Sequence, residues 1–383
     1  MFDIFLALNL TGHIFSTEKD SLRFPTHRRL FSVLFILPLF FLLIIANRFF
    51  MMLDWIVFPG FRKMPLNNLC FIIGVPRSAT TYLLHILARD NDQFTCFKLW
   101  EILFAPSIIQ KYILLPVLKL DRLLGRPLYR LSIKMDKAFL GKIAVLHEIS
   151  LSKPEEDEIL LVYAFASMYL AFFFPGVKAL DPHLFFDEDL SPAKRKKIML
   201  FYKRCVQRHC FVFNRNEQKY FLSKNPCFIS KIASIGETFP QASLVYMLRS
   251  PFKTIPSTLI LNSNVYSLFS GVKYENPLYE KTTRAIIRWY QMADRSIEKY
   301  WRHRCITVPF RKVTSQPGQT IKEVYDFLKL SPAPKMNLLL QKEDDNSRNY
   351  KSLHKYNEKP GLLQEEISSE LQFIIHGKYR DQL

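Results

Sequence analysis

The sequence predicts an α/β fold: a central, mainly parallel sheet flanked by helices, with a membrane segment at the amino-terminal end. Three observations predict it. Cys70–Ile73 is an apolar run closed by Gly74, and Leu83, Leu84, Leu87 and Ala88 then recur at helical spacing, so a buried strand turns directly into a helix. Leu244–Leu248 repeats the pattern and ends in Arg249-Ser250-Pro251, with Pro251 placed to open a helix. Leu30–Ala46 is seventeen residues without a charge. The expected division is a membrane-associated segment over 1–66 and a catalytic domain over 67–383.

Length and composition bound the answer without deciding it. A chain of 383 residues has room for two or three domains, but single α/β domains often run long. With 49% hydrophobic and 14% aromatic residues and only 11 Gly, the chain is an ordered one with a large core. Its formal charge of +19 asks for an anionic partner: nucleic acid, a membrane surface or a polyanionic small ligand. The basic residues are scattered, their tightest cluster (Lys194–Lys197) is short, and neither zinc-finger spacing nor an RNA-binding signature is present. Nucleic acid is therefore the weakest of the three and is not expected as a partner.

The six cysteines (70, 96, 205, 210, 227 and 305) include no C-x-x-C pair, which suggests a reducing compartment. Cys205, His209 and Cys210 have no fourth ligand at a standard spacing, so they read as ordinary helix residues and no metal is expected.

The run Leu30–Ala46 is flanked by Arg28, Arg29 and Arg48, and a second apolar stretch, Phe49–Phe61, follows with Asp54 and Pro59 inside it. A bilayer span needs about 20 residues, so a single span, a helical hairpin and an interfacial helix all remain open. Basic residues on both sides leave the orientation undecided by the positive-inside rule. The one glycosylation sequon, Asn9-Leu10-Thr11, precedes this segment, which favours a catalytic domain facing the cytosol. Ile159–Phe174 is another long apolar run; Tyr163, Ser167 and Tyr169 interrupt it, and it reads as a buried core helix.

The residues between the first strand and helix carry the chemistry. A strand that turns sharply into a helix presents unpaired N–H groups and the positive end of the helix dipole, a ready anion site. Arg77 adds a guanidinium that can fork onto phosphate or sulfate oxygens, and Ser78, Thr80 and Thr81 add hydroxyls. A bare helix cap does not need that set. The arrangement makes the expected architecture a P-loop-like, three-layer α/β/α one. It is not a Walker A loop: Thr80 stands where the Lys would be, Ala79 where the preceding Gly would be, and the second strand ends in Arg249 rather than a metal-binding Asp.

These residues resemble the sulfotransferase superfamily, closest to a broad family with many prokaryotic members that is related to carbohydrate and tyrosyl-protein sulfotransferases. Gly74–Thr81 is similar to its G-x-P-R-S-G-T-T loop, which wraps the 5′-phosphosulfate of PAPS (3′-phosphoadenosine-5′-phosphosulfate). Arg249-Ser-Pro251 with Ser257 eight residues beyond Arg249 resembles its R-x-P…Ser motif, which holds the 3′-phosphate. Tyr220–Pro226 resembles the strand that carries a Lys, here Lys224, near the transferred group. Ile306–Pro309 with the helix after it, and His354–Tyr356 with Gly361-Leu362, resemble later family segments. Ala79 departs from the usual Gly, which restricts the loop to conformations a Cβ tolerates, and Ser250 stands where Asp is common.

The resemblance implies a PAPS-dependent sulfotransferase releasing PAP (adenosine 3′,5′-bisphosphate). Arg77, Ser78, Ala79, Thr80, Thr81, Arg249 and Ser257 would bind the cofactor, and Arg77 and Lys224 would stabilise charge on the transferring oxygens. The acceptor is a hydroxyl or amine, with a lipid, glycolipid or membrane-bound glycan suggested by the membrane segment. A hydroxyl acceptor needs a base. Glu101, among apolar neighbours where an unpaired acid is costly to bury, ranks first. Glu156, in the acidic run Glu155–Glu158, ranks second, and His147-Glu148 third. Two other functions compete: a P-loop nucleotide kinase or NTPase, and an inactive membrane protein that only binds a nucleotide.

Overall fold

A computed structural model of the chain describes residues 10, 12, 35, 37–134, 150–174, 176–269, 276–348 and 362–382. The elements that position the site are, in chain order, α1 (Leu37–Val57), β1 (Leu69–Gly74), α2 (Thr80–Leu87), β2 (Phe94–Cys96), α3 (Leu99–Phe104), α4 (Ile108–Leu123), α5 (Pro192–Phe213), β3 (Tyr220–Lys224), β4 (Ser243–Leu248), α6 (Pro251–Phe269), α7 (Asn276–Ser296), β5 (Cys305–Pro309), α8 (Pro317–Phe327) and α9 (Pro334–Arg348). The chain forms two compact units. The first comprises 1–66, 96–218 and 261–278, the second 67–95, 219–260 and 279–383.

The second unit is built on the five-stranded sheet, in the order β2-β3-β1-β4-β5. The strands β3, β1, β4 and β5 run parallel, with Ile72 opposite Lys224, Gly74 opposite Met247 and Leu248 opposite Pro309. Every residue of β1 is buried, as expected for a strand covered on both faces. Phe71 packs its ring against Phe239 at 5.3 Å between centroids, and against Phe228 and Trp301. The strands following β1 in sequence lie on both sides of it, so the outer ends of β3, β1 and β4 open at a switch in strand order, where α/β folds bind their ligands.

The first unit is helical. From residue 37 on, the two apolar stretches join through Asn47 and Arg48 into one helix, α1, which runs on past Asp54 and gives way to a 3₁₀ turn at Pro59–Lys63; residues 30–34 and 36 of the first stretch lie outside the described residues. Asp54 does not break it because the carboxylate is neutralised within the fold: it accepts from Arg208 Nε at 2.8 Å and from the N–H groups of Ile108 and Ile109 at 3.0 and 3.2 Å. The expected core helix over Ile159–Phe174 is not continuous. Asp157–Ala164 is a 3₁₀ helix that ends at Phe165 in the left-handed region, and a single α-helical turn, Leu170–Phe173, follows. The segment is largely buried, as its apolar composition indicates, but it is not one α-helix. The Glu158 carboxylate accepts the Met168 N–H at 3.2 Å, a side-chain bond that holds the chain in its turn.

Candidate active site

In the second unit, the loop Val75–Ala79 leaves β1 and enters α2. Gly74 at the strand end has no room for a side chain: a Cβ would sit 2.5 Å from the Met247 carbonyl oxygen and 2.6 Å from Ser78 Oγ. Arg77 and Ala79 both take left-handed backbones, φ 69°, on either side of Ser78. Backbones that alternate in this way suit the anion-binding nests formed by successive N–H groups. Ala79 takes this left-handed backbone, a conformation that a Cβ tolerates at a cost of about 1 kcal/mol. Ser78 is fully buried and its Oγ donates to the Val75 carbonyl at 2.7 Å, which braces the turn. Thr80 is buried and Thr81 half-buried at the first turn of α2.

The two motifs meet. Arg77 Nε donates to Ser257 Oγ at 3.0 Å, and Arg249 Nη1 donates to the Arg77 carbonyl at 2.5 Å. Ser257 lies in the second turn of α6, as its distance from Pro251 requires. Two residues that no spacing pointed to hold Arg249. Tyr290 on α7 donates its hydroxyl to the Arg249 carbonyl at 2.5 Å, and the Phe310 ring lies 4.1 Å from the guanidinium carbon. A cation over an aromatic face is attracted to it and fixed in orientation. Tyr290 gives no sequence cue because it sits within the ordinary apolar pattern of its helix.

Lys224 ends β3 level with Ile72 and is 1% exposed. The next residue, Asn225, is fully buried. Its Oδ1 accepts the Cys227 N–H at 3.1 Å, and its Nδ2 has no hydrogen-bond partner. A buried donor without an acceptor costs roughly 1–3 kcal/mol.

The first two candidate bases, Glu101 and Glu156, belong to the first unit. Glu101 is 2% exposed, and it is not the unpaired acid the sequence suggests: Oε2 lies 2.9 Å from His209 Nδ1 and Oε1 accepts the Lys98 N–H at 3.3 Å. His209 sits between the rings of Phe97 and Phe213. On α5, His209 is thus the partner of Glu101, and Cys205 and Cys210 are buried thiols. The acidic run is buried throughout, with Asp157 and Glu158 in the first turn of the 3₁₀ helix. Glu156 is 8% exposed, Asp157 Oδ2 accepts from the Tyr202 hydroxyl at 2.5 Å, and Glu155 Oε1 accepts the Glu156 N–H at 3.0 Å. His147-Glu148 lies outside the described residues.

Burial lowers the His209 pKa below its ordinary 6.5, opposed by the Glu101 carboxylate. Unfolding restores the ordinary value, so below about pH 6.5 the unfolded chain binds the extra proton. The stability that neutral His209 supplies is complete above that pH and drains away as pH falls through it, by up to ~1.4 kcal/mol per pH unit. In urea titrations across this range, His209→Gln should flatten the acid-side loss of stability. A variant with the wild-type slope would show that His209 is not the group responsible.

The Sulfotransferase family profile matches residues 70–334, which include both loops. The chain belongs to the sulfotransferase family. It is 24% identical over 186 residues to the omega-hydroxy-beta-dihydromenaquinone-9 sulfotransferase Stf3 of Mycobacterium bovis and of Mycobacterium tuberculosis. That match covers 48% of this chain and 47% of each relative, so it spans about half the length of those sulfotransferases. Among solved structures, sulfotransferase STF9 from Mycobacterium avium superposes with a TM-score of 0.69 at 15% identity, covering 98% of this chain and 95% of that one. Sulfotransferase STF1 from Mycobacterium tuberculosis gives 0.65 at 15% identity, with coverage of 95% and 91%. At such identities the likeness is one of fold, and it is the P-loop-like α/β sulfotransferase fold expected from the strand–loop–helix motif.

Proposed function

We propose that this chain transfers a sulfuryl group from PAPS to an acceptor hydroxyl at a membrane surface, its catalytic residues facing the cytosol. The observation that carries the reading is the direct contact of the two arginine loops, Arg249 to the Arg77 carbonyl and Arg77 to Ser257. A ligand with anionic groups at two places fits cations from two neighbouring strand ends. The residues present also suit the nucleotide: Arg77 and Ala79 take left-handed backbones in the loop after β1, and the Nδ2 donor of Asn225 lacks an acceptor beside Lys224.

PAPS supplies the activated sulfuryl group. Ser78, Ala79, Thr80 and Thr81 would bind its 5′-phosphosulfate through hydroxyls and N–H groups, and Arg249 with Ser257 would bind the 3′-phosphate. Arg77 and Lys224 would offset the negative charge that grows on the oxygens as the sulfuryl group departs. Glu101, oriented by His209, would take the acceptor's proton, with Glu156 the second candidate. Stf3 bears the name of a sulfotransferase acting on a menaquinone carrying a hydroxyl group; an acceptor of that class, an apolar lipid ending in a hydroxyl, suits this chain's exposed apolar helices.

The test is transfer itself. Purified protein incubated with ³⁵S-PAPS and a membrane lipid extract should label an organic-soluble product without added metal, and calorimetry should show PAP binding. Binding of PAP with no labelled product from lipid or glycan extracts would instead identify an inactive nucleotide-binding protein. Hydrolysis of ATP with Mg²⁺ and no affinity for PAP would favour the kinase class.

A further inference from the structure

We propose that α1 and α4 form a monotopic docking face that lies against an anionic bilayer surface without crossing it. The proposal deepens the membrane part of the function above.

Helix α1 is long and apolar enough to span a bilayer. Its polarity, however, is inverted. The stripe Ile44, Asn47, Met51 and Asp54, at helical spacing, is buried, and it contains both polar side chains that the helix hides. The opposite stripe, Leu42, Ile45, Phe49, Met52 and Ile56, is 53–77% exposed. A soluble helix does the reverse.

The buried stripe is tied down along its length. Asn47 Nδ2 donates to the Leu103 carbonyl at 2.9 Å and Asn47 Oδ1 accepts from Gln110 Nε2 at 2.6 Å. One and two turns further on, Arg208 Nη2 donates to the Met51 carbonyl at 2.7 Å and its Nε to Asp54 at 2.8 Å. To cross a bilayer, α1 would have to carry α5 with it, and α5 holds Lys194, Arg195, Lys196, Lys197, Lys203, Arg204 and Arg208. Charges of that number do not enter hydrocarbon.

Helix α4 repeats the inversion. Lys111 and Asp121 are buried, while Ile113, Val117, Leu120 and Leu124 form an exposed stripe. The Lys111 ammonium is satisfied by the Ala105 carbonyl at 2.6 Å, and Asp121 accepts the Leu128 and Tyr129 N–H groups at 2.6 and 3.3 Å. Leu128, Tyr129 and Leu131 extend the exposed apolar surface.

Charge selects the occupant. From 108 to 134 every exposed charged side chain is basic: Lys119, Arg122, Arg126, Arg130 and Lys134. An apolar stripe beside unopposed cations matches an interfacial helix on anionic lipid. A second copy of the chain would bring the same five cations against these and repel them.

The full chain should float with vesicles of phosphatidylcholine containing phosphatidylglycerol. Binding should fall at least tenfold on purely zwitterionic vesicles and weaken with salt. Leu42→Asn/Ile45→Asn/Phe49→Asn and Lys119→Glu/Arg122→Glu should each lower it by a similar factor while leaving PAP affinity unchanged, which also shows that they fold. Depth is read by placing a fluorescent amino acid at 42, 49 or 56 and quenching with lipids brominated at known depths. A docked helix gives one shallow depth at all three positions. A gradient of about 21 Å between 42 and 56 means a span and overturns the proposal. So does failure to float together with concentration-dependent dimers that the asparagine variants dissolve. Loss of PAP binding with intact flotation counts against the sulfotransferase reading alone, and the converse against this proposal alone.

Discussion

Arg77→Ala is expected to lower kcat/KM for PAPS by about a thousandfold, the effect of removing a principal charge-stabilising donor from a site where charge develops. The variant is informative because of what it spares. Arg249 binds the backbone carbonyl of Arg77, which alanine keeps, and Ala79 shows that this loop already tolerates a Cβ at the same φ of 69°. The loss is therefore of the guanidinium and its Ser257 bond, with the second arginine loop still anchored by Tyr290 and Phe310. Arg77→Lys should recover the charge but not the planar fork, so its activity should fall between the two. Initial rates with radiolabelled PAPS measure both. Arg249→Ala provides the contrast: PAP affinity should drop while affinity for adenosine 5′-phosphosulfate, which lacks the 3′-phosphate, stays near wild type. If Arg77→Ala keeps kcat/KM within tenfold of wild type, the assignment of the loop to the transferring group is wrong.

What was legible in the sequence was local. The strands expected at Cys70–Ile73 and Leu244–Leu248, which the structure extends to Leu69–Gly74 and Ser243–Leu248, and the position of Ser257 in α6 each follow from residues a few places apart. The contact between Arg77 and Ser257 spans 180 positions, and only two motifs known to occur together made it expected. Where no motif linked the partners, the sequence stayed silent. Glu101 and His209 are 108 residues apart, so the acid's pairing could not be read from its apolar neighbours. The run Ile159–Phe174 shows a second limit, since apolar composition reports burial and says little about whether the backbone is α, 3₁₀ or turn. In α1 the uniform hydrophobicity was plain, but Asn47 and Asp54 looked like interruptions. They are the inward face, recognisable only once Gln110 and Arg208 supply their partners.

The second large effect concerns that inward face. Asp54→Ala and Arg208→Ala should each destabilise the protein by about 3–5 kcal/mol, the cost of leaving one member of a buried ion pair uncompensated. Both side chains are essentially inaccessible to solvent, at 0% and 3%. Asp54 does more than pair: its oxygens take the first two N–H groups of α4, so removing it also uncaps that helix. Arg208 in turn lies over the Phe61 ring at 4.3 Å and holds the Met51 carbonyl. Asp54→Asn should consequently cost less than Asp54→Ala, because an amide oxygen can still cap α4 although the charge is gone. The double variant Asp54→Leu/Arg208→Met should be more stable than either alanine variant, since an apolar pair leaves no buried charge behind. Urea denaturation of the set yields the coupling energy directly. Single variants that each cost less than about 1 kcal/mol would mean that α1 is held by its apolar contacts alone. The polar stripe would then have no structural reason to face inward, and the strongest physical argument against a membrane-spanning α1 would go with it.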